Sequence, residues 1–264
     1  MIERRDTLKL MMLAAVGSKR LLNASAVAAQ ESGFASRWHE WPDMRWAGPE
    51  CWGNRLQDWS LSDGSVQCGV RAPNRTLHCL THTATRAHYD SSVVVVVPHA
   101  RRGSGAGHVS GFRLGAKGRF EDVRSAAVHG IGLDVGVDEN GRLVIGDRRS
   151  DAAVHSDEPV RLDVSVREAG PRAMVSLSAR TTDGGVLATL QRDDLEADDL
   201  VGNCALLSHV ESAGPGRGAR FGDWRIAGEG ISVDPDAAFG PVMFAQYTLH
   251  RGTLKLTAQL APLE

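Results

Sequence analysis

The chain has 264 residues, room for one large domain or two small ones. Its 30 Lys and Arg are offset by 32 Asp and Glu, a formal net charge of -2. A nucleic-acid binder would carry a basic excess or a basic stripe, so that class of partner is set aside.

The chain opens "MIERRDTLKLMMLAAVGSKRLLNASAVAAQ". Arg4 and Arg5 precede Leu8 and Lys9, a short apolar run follows to Val16, and small residues around Ala24, Ala26 and Ala28 offer cleavage contexts. A charged start, an apolar centre and a small-residue end form an export signal. The pattern resembles the twin-arginine signal, although Thr7 stands where a bulky apolar residue is usual. It implies residues 1–30 as a cleaved signal, the twin-arginine translocase as a partner, and a periplasmic or extracellular mature protein. The apolar run is shorter than the ~20 residues a membrane helix needs, so no membrane association is expected after cleavage.

From about residue 36 to 232 the text is strands and turns. "LQDWSLSDGSVQC" (56–68) reads as two short strands around Asp63-Gly64. "SSVVVVV" (91–97) is a β-branched run that predicts a strand buried on both faces. "GFRLGAKGRFEDVR" (111–124) reads as a Gly-punctuated connection, and Asn140-Gly141 as a hairpin turn. "VRLDVSVR" (160–167) and "AMVSLSAR" (173–180) alternate apolar and polar residues with period 2, the pattern of half-buried strands. Within "RDDLEADDLVG" (192–202) one short acidic helical turn is expected, and "GNCALLSHV" and "ARFGDWRIAG" close the region. Strands with turns every 8–12 residues predict an all-β, two-sheet antiparallel sandwich of jelly-roll or concanavalin A-like type.

The phrase "DWSL" returns near the end as "DWRI". Trp59 with Leu61, and Trp224 with Ile226, lie two apart and share a strand face. We read the echo as domain closure: first and last strands side by side in one sheet, with Trp59 and Trp224 as a core aromatic pair. Cys51, Cys68, Cys79 and Cys204 allow three complete pairings. Buried free thiols are the preferred reading; as a pair, Cys68 with Cys79 is favoured, because two strands joined by a turn bring them together.

The stretches "WAGPECWGNRLQDWSLSDGSVQC", "NRTLHCLTH", "GFRLGAKGRFEDVRSAAVHGIGLDVGV", "GNCALLSHV" and "RFGDWRIAG" resemble the N-terminal region of twin-arginine-exported, alkaline phosphatase D-like proteins. The resemblance covers roughly residues 38–260. It implies a concanavalin A/laminin G-like sandwich, followed in that family by a small β-domain and a metallophosphatase domain. Residues 233–264 resemble the connector into that next part, and after about Asp234 the tail is expected to pack poorly on the sandwich. The Asp/His/Asn metal clusters of the family match nothing here, so no catalytic residue carries over. The implied function is a non-catalytic accessory or interaction domain of an exported alkaline phosphatase D-like protein, with a downstream phosphatase domain as partner. The alternative is a carbohydrate-binding, lectin-like module.

Four groups of residues are candidate sites. Trp38, Trp41, Trp46, Trp52 and Trp59 crowd together; Trp41 and Trp46 are the surface candidates for a sugar platform, against a reading of the set as core packing with a wrapped N-terminal arm. Arg113, Lys117, Arg119 and Arg124 on the Gly-rich segment form a candidate anion loop, against solvated charges. Asp134, Asp138, Glu139, Asn140 and Asp147 bracket a hairpin and offer oxygen ligands for Ca²⁺, against acidic turns that serve solubility. His78 and His82, four apart on a strand, stand too far apart for one zinc, and no other cofactor is expected.

Overall fold

The computed structural model describes residues 33–97, 108–120, 123–154, 158–211 and 213–262. The residues expected to form the export signal, with Arg4 and Arg5, lie outside them. In chain order the strands are β1 (Phe34–Ala35), β2 (Cys51–Gly53), β3 (Trp59–Ser62), β4 (Ser65–Cys68), β5 (Arg75–Ala84), β6 (His88–Val96) and β7 (His108–Lys117). Helix α1 (Val123–His129) follows, then β8 (Ile131–Asp138), β9 (Arg142–Ile145), β10 (Arg148–Ala153), β11 (Val160–Ala169), β12 (Arg172–Arg180) and β13 (Val186–Glu196). The chain continues with β14 (Gly202–Val210), β15 (Arg220–Ala227), β16 (Ile231–Val233), β17 (Val242–His250) and β18 (Thr253–Leu260).

Two large antiparallel sheets form the sandwich. Sheet I runs β13-β12-β11-β6-β15-β4-β3, with β1 also on β15; sheet II runs β10-β9-β8-β7-β14-β5-β16, with β2 also on β5. The predicted two-sheet all-β architecture is the one observed. Val160, Leu162, Val164 and Val166 of β11 and Val175, Leu177 and Ala179 of β12 are buried on the inner face of sheet I. They meet Phe112 and Leu114 of β7 and Leu206 of β14 in one continuous core. Burying one such aliphatic side chain stabilises the fold by about 1.5–3 kcal/mol.

The valine run departs from expectation. Val93 and Val95 are buried, but Val94 is half-buried and Val96 exposed. β6 is central in sheet I, yet no described residue covers the outer face of that sheet. Sheet II differs. Thr76 and His78 alternate with the core-facing Leu77 and Cys79 and are also fully buried, while α1 packs against β2, β5 and β7.

The segment read as a Gly-punctuated loop is instead β7, followed by a turn and α1. Phe112, Leu114 and Ala116 alternate inward along it. Its glycines mark close approach: a Cβ on Gly111 would meet the Val135 carbonyl oxygen, and one on Gly115 the Asp199 carbonyl oxygen. The acidic turn expected within 192–202 is a 3-10 turn over Ala197–Leu200, after β13.

The echo of Asp-Trp is resolved by the topology. Trp59 and Trp224 share the inner face of sheet I, but β4 lies between their strands. Each finds another aromatic partner: Trp59 tilts against Phe221 at 6.4 Å, and Trp224 meets Phe34 edge-on at 5.1 Å and Trp38 at 6.4 Å. It is β1, at the very start of the sandwich, that pairs directly with β15. The Cys68–Cys79 pairing does not form either, because the strands on either side of their turn go to different sheets.

The tail is divided. β17 and β18 pair only with each other, and Phe244, Tyr247, Leu249, Leu254, Leu256 and Leu260 are exposed. The residues flanking that hairpin do touch the sandwich. Phe239 packs edge-on against Trp52 at 4.8 Å, and its N–H donates to the Pro49 carbonyl at 2.7 Å; Ala261 is buried in the core.

Gly53 makes one requirement of this core visible. A Cβ there would lie 2.5 Å from Cδ1 and 2.9 Å from Nε1 of Trp59, a fully buried ring with no room to retreat. Gly53→Ala is expected to cost about 1–3 kcal/mol by overpacking. Urea unfolding of the two proteins measures this, and equal midpoints would show that the Trp59 pocket is slack.

Candidate functional site

The open face of sheet I carries a groove of about 470 Å³. Strand pairing builds it. Arg225 of β15 stands opposite Ser92 of β6, Ser92 opposite Asp163 of β11, Asp163 opposite Ser178 of β12, and Ser178 opposite Thr189 of β13. Two residues along each strand, a second row reads Ala227, Asp90, Ser165, Ser176, Gln191. Period-2 alternation puts both rows on the same, outward face, while the residues between them, such as Val164 and Leu177, point into the core.

The five central residues Ser92, Asp163, Ser165, Ser176 and Ser178 are half-buried; Asp90, Thr189, Gln191, Arg225 and Ala227 are exposed. The result is an open trough lined by short polar side chains, with Val164 and Leu177 also contributing to its lining. Arginines brace its carboxylates. Arg180 lies 3.3 Å from Asp163 and Arg167 2.7 Å from Asp90, while Arg161 and Arg225 both hold Asp223, at 2.7 and 2.9 Å. Arg161 also donates to Ser92 Oγ at 3.4 Å. The hydroxyls of Ser165, Ser176, Ser178 and Thr189 have no hydrogen-bond partner among the described residues. Among the described residues no aromatic ring lines the groove. It offers closely spaced donors and acceptors to a polar ligand.

None of the residues singled out from the sequence lies in this groove. Trp46 is not a surface residue: it is 1% exposed, with Trp41 edge-on at 6.3 Å and Gly240 against its ring. Trp41 is half-buried, Trp38 and Trp59 are buried, and Trp52 is covered by Phe239. The tryptophans anchor an N-terminal arm to the core and form no exposed platform.

The basic residues do not converge. Arg113, in the middle of β7, makes a two-pronged bond to Asp134 at 2.7 and 3.0 Å and also bonds Asn74. Lys117 donates to the Asp198 carbonyl at 2.5 Å, Arg119 stands exposed on the turn, and Arg124 belongs to α1. The acidic residues of the hairpin are likewise held by protein groups. Asp138 Oδ1 accepts from the N–H of Asn140 and of Arg142, both at 2.9 Å; Glu139 accepts from the His108 N–H at 3.0 Å; Asp147 pairs with Arg192. Among the described residues no group of three His, Cys, Asp or Glu side chains could hold a metal ion.

His78 belongs to a buried polar chain. Asn203 Nδ2 donates to the Cys79 carbonyl at 2.7 Å, which fixes its amide so that Oδ1 accepts from His78 Nδ1 at 2.6 Å; His78 Nε2 then accepts from Thr76 Oγ1 at 3.0 Å. Burial pushes the His78 imidazole down to about 4, with Arg113 adding to the effect; burial does the same to His108.

No family model and no curated protein matches the sequence. Solved structures do match the fold. Lectin II from Ulex europaeus superposes with a TM-score of 0.50 at 12% identity, covering 77% of this chain and 99% of its own. Winged bean acidic lectin, complexed with methyl-α-D-galactose, gives 0.49 at 8% identity, covering 76% and 98%.

The two buried histidines predict a pH response. In the unfolded chain each takes a proton near pH 6.5, but in the fold only near 4, so the unfolded state binds more protons between those values. Stability is therefore lost as pH falls from 6.5 to 4, by about 2–3 kcal/mol per histidine. Urea unfolding followed across this range should show His78→Asn losing about one proton's worth of the slope, and an unchanged slope would contradict the account. The chain is thus an all-β, two-sheet antiparallel sandwich with the concanavalin A-like fold.

Proposed function

We propose that the chain is a carbohydrate-binding module and that the glycan lies across the outer face of sheet I. The observation that carries this is the double row of short polar side chains spanning five strands, with unpartnered hydroxyls on a half-buried floor. Most small-molecule pockets are largely apolar with a few polar groups; here the outward side chains are mostly Ser, Thr, Asp and Gln, set among the apolar surface of Val164, Leu177 and Ala227. A sugar presents adjacent hydroxyls, each both donor and acceptor. Asp163 accepts, Arg225 donates, and Ser, Thr and Gln do both. The lectin fold of the solved structures supports the reading by making an open sheet face available, and the sugar itself is argued from the groove.

A glycan array followed by titration calorimetry tests it. Asp163→Asn and Gln191→Ala should each weaken binding of the best glycan about tenfold, the effect of losing a hydrogen bond or two. Trp41→Ala, away from the groove, should leave affinity within about twofold. Absence of any bound glycan, or groove variants that bind as well as the parent, would overturn the proposal.

A second reading is compatible with the first: the sandwich as an accessory module of an exported, alkaline phosphatase D-like protein. The exposed apolar face of β17–β18 favours it, since Tyr247, Leu249, Leu254 and Leu256 suit a covered position. The signal-like pattern at residues 1–30 supports export. Hydrogen exchange of the hairpin amides, compared with and without a fused phosphatase domain, tests the contact. Equal rates in the two would exclude it.

A further inference from the structure

Cys51 and Cys79 stand directly opposite each other on the antiparallel pair β2–β5. Flanking backbone bonds establish the kind of pair. The Leu80 N–H donates to the Glu50 carbonyl at 2.9 Å, and the Asn54 N–H to the Thr76 carbonyl at 3.0 Å. Glu50 with Leu80 and Asn54 with Thr76 are thus hydrogen-bonded pairs. By alternation Trp52 with His78 is another, and Cys51 with Cys79 is a non-hydrogen-bonded pair. In that kind of pair the Cα atoms approach to about 4.5 Å and the side chains leave the same face at their closest. A disulfide accepts Cα separations of about 4.4–6.8 Å.

Both thiols are buried in the core, 1% and 0% exposed, and Cys79 lies close enough for its charge to act on Cys51. The remaining cysteines are placed otherwise. Cys68 is on β4 of sheet I, its thiol directed at the Val70 carbonyl at 3.3 Å. Cys204 sits where the register of β14 against β5 breaks, between Asn203 and Ala205, and its thiol is bonded to Tyr89.

We infer that Cys51 and Cys79 join in a cross-strand disulfide when the chain folds in a thiol-oxidising medium, leaving Cys68 and Cys204 as thiols. The oxidant is a small disulfide such as oxidised glutathione. The thiolate of one cysteine attacks it, releasing one glutathione thiol and forming a mixed disulfide; the thiolate of the other then attacks the protein sulfur and releases the second. Two protein thiols are oxidised by two electrons, and one small disulfide is reduced to two thiols. The exchange belongs to the folding chain, before β2 closes on β5. In the native fold burial pushes the Cys79 thiol up to about 12, and no solvent path reaches either sulfur.

The full chain, refolded once in a glutathione redox buffer and once with excess reductant, tests this. Alkylation in denaturant followed by mass spectrometry should find two free thiols in the first sample and four in the second. A tryptic map should link the peptide 46–55 to the peptide 76–86. The oxidised protein should melt on the order of 10 °C above the reduced one. In the redox buffer Cys51→Ala and Cys79→Ala should abolish the link and melt with the reduced parent. Four free thiols after oxidative refolding, or a link involving Cys68 or Cys204 in its place, would overturn the inference.

Discussion

The Trp224 indole is where the beginning and the end of the sandwich are tied together. Its N–H donates to Ser91 Oγ on β6 at 3.2 Å, Phe34 meets its edge, and Trp38 lies over it. Its backbone is clasped by Ser36, whose N–H donates to the Trp224 carbonyl at 2.8 Å and whose Oγ accepts from the Trp224 N–H at 3.0 Å. One strand thereby serves three neighbours: β6 along one edge, β4 and β1 in succession along the other. The change of partner occurs at a bulge. Between Gly222 and Arg225 the register with β6 shifts, and Asp223 adopts φ 45°, a conformation that Asp tolerates better than most residues. The carboxylate turned outward there gathers Arg161 and Arg225 at one end of the groove.

The two outer faces of the sandwich have different fates. Sheet II is roofed by α1, and Phe239 lies over Trp52 on β2, so even its outward side chains Thr76 and His78 are dry and need the internal chain of hydrogen bonds that runs through Asn203. Among the described residues nothing roofs β11–β13 of sheet I. Its outward side chains are short, Ser, Thr and Asp in the main, so they leave a hollow where long Lys or Glu side chains would have filled the space. The arginines that brace the hollow lie at its margins, where their charge orders the carboxylates without blocking the floor.

Much of the fold was legible because a strand with one dry face must alternate. β11 and β12 could be read residue by residue, and the hairpin turns were marked by Asp63-Gly64 and Asn140-Gly141. What misled were residue types that serve two purposes. Glycines in 111–115 mark places where neighbouring backbones press close, yet they read as a loop. Five valines read as buried on both faces, though hydrophobicity says nothing about whether a roof exists. Dense tryptophans such as Trp46 can build a core as well as a platform, and composition does not distinguish the two. The groove was missed for another reason. Asp90 and Arg225 lie far apart in the chain, and only the pairing register brings them to one trough. A trace was present in the outward positions "D-x-S" at 90–92, "D-x-S" at 163–165 and "S-x-S" at 176–178, where a solvent face usually carries longer charged side chains.

The two rows run across the strands, so their side chains follow one another at the spacing between strands, about 4.8 Å. Five strands make a track roughly 19 Å long between the outermost residues of each row. A glycan chain of the kind proposed would meet a different polar side chain at most steps along the track, Ala227 being the exception. A single compact molecule occupies only one step and leaves the others to water. The proposed site would therefore discriminate by the length of the bound chain more than by the identity of any one unit.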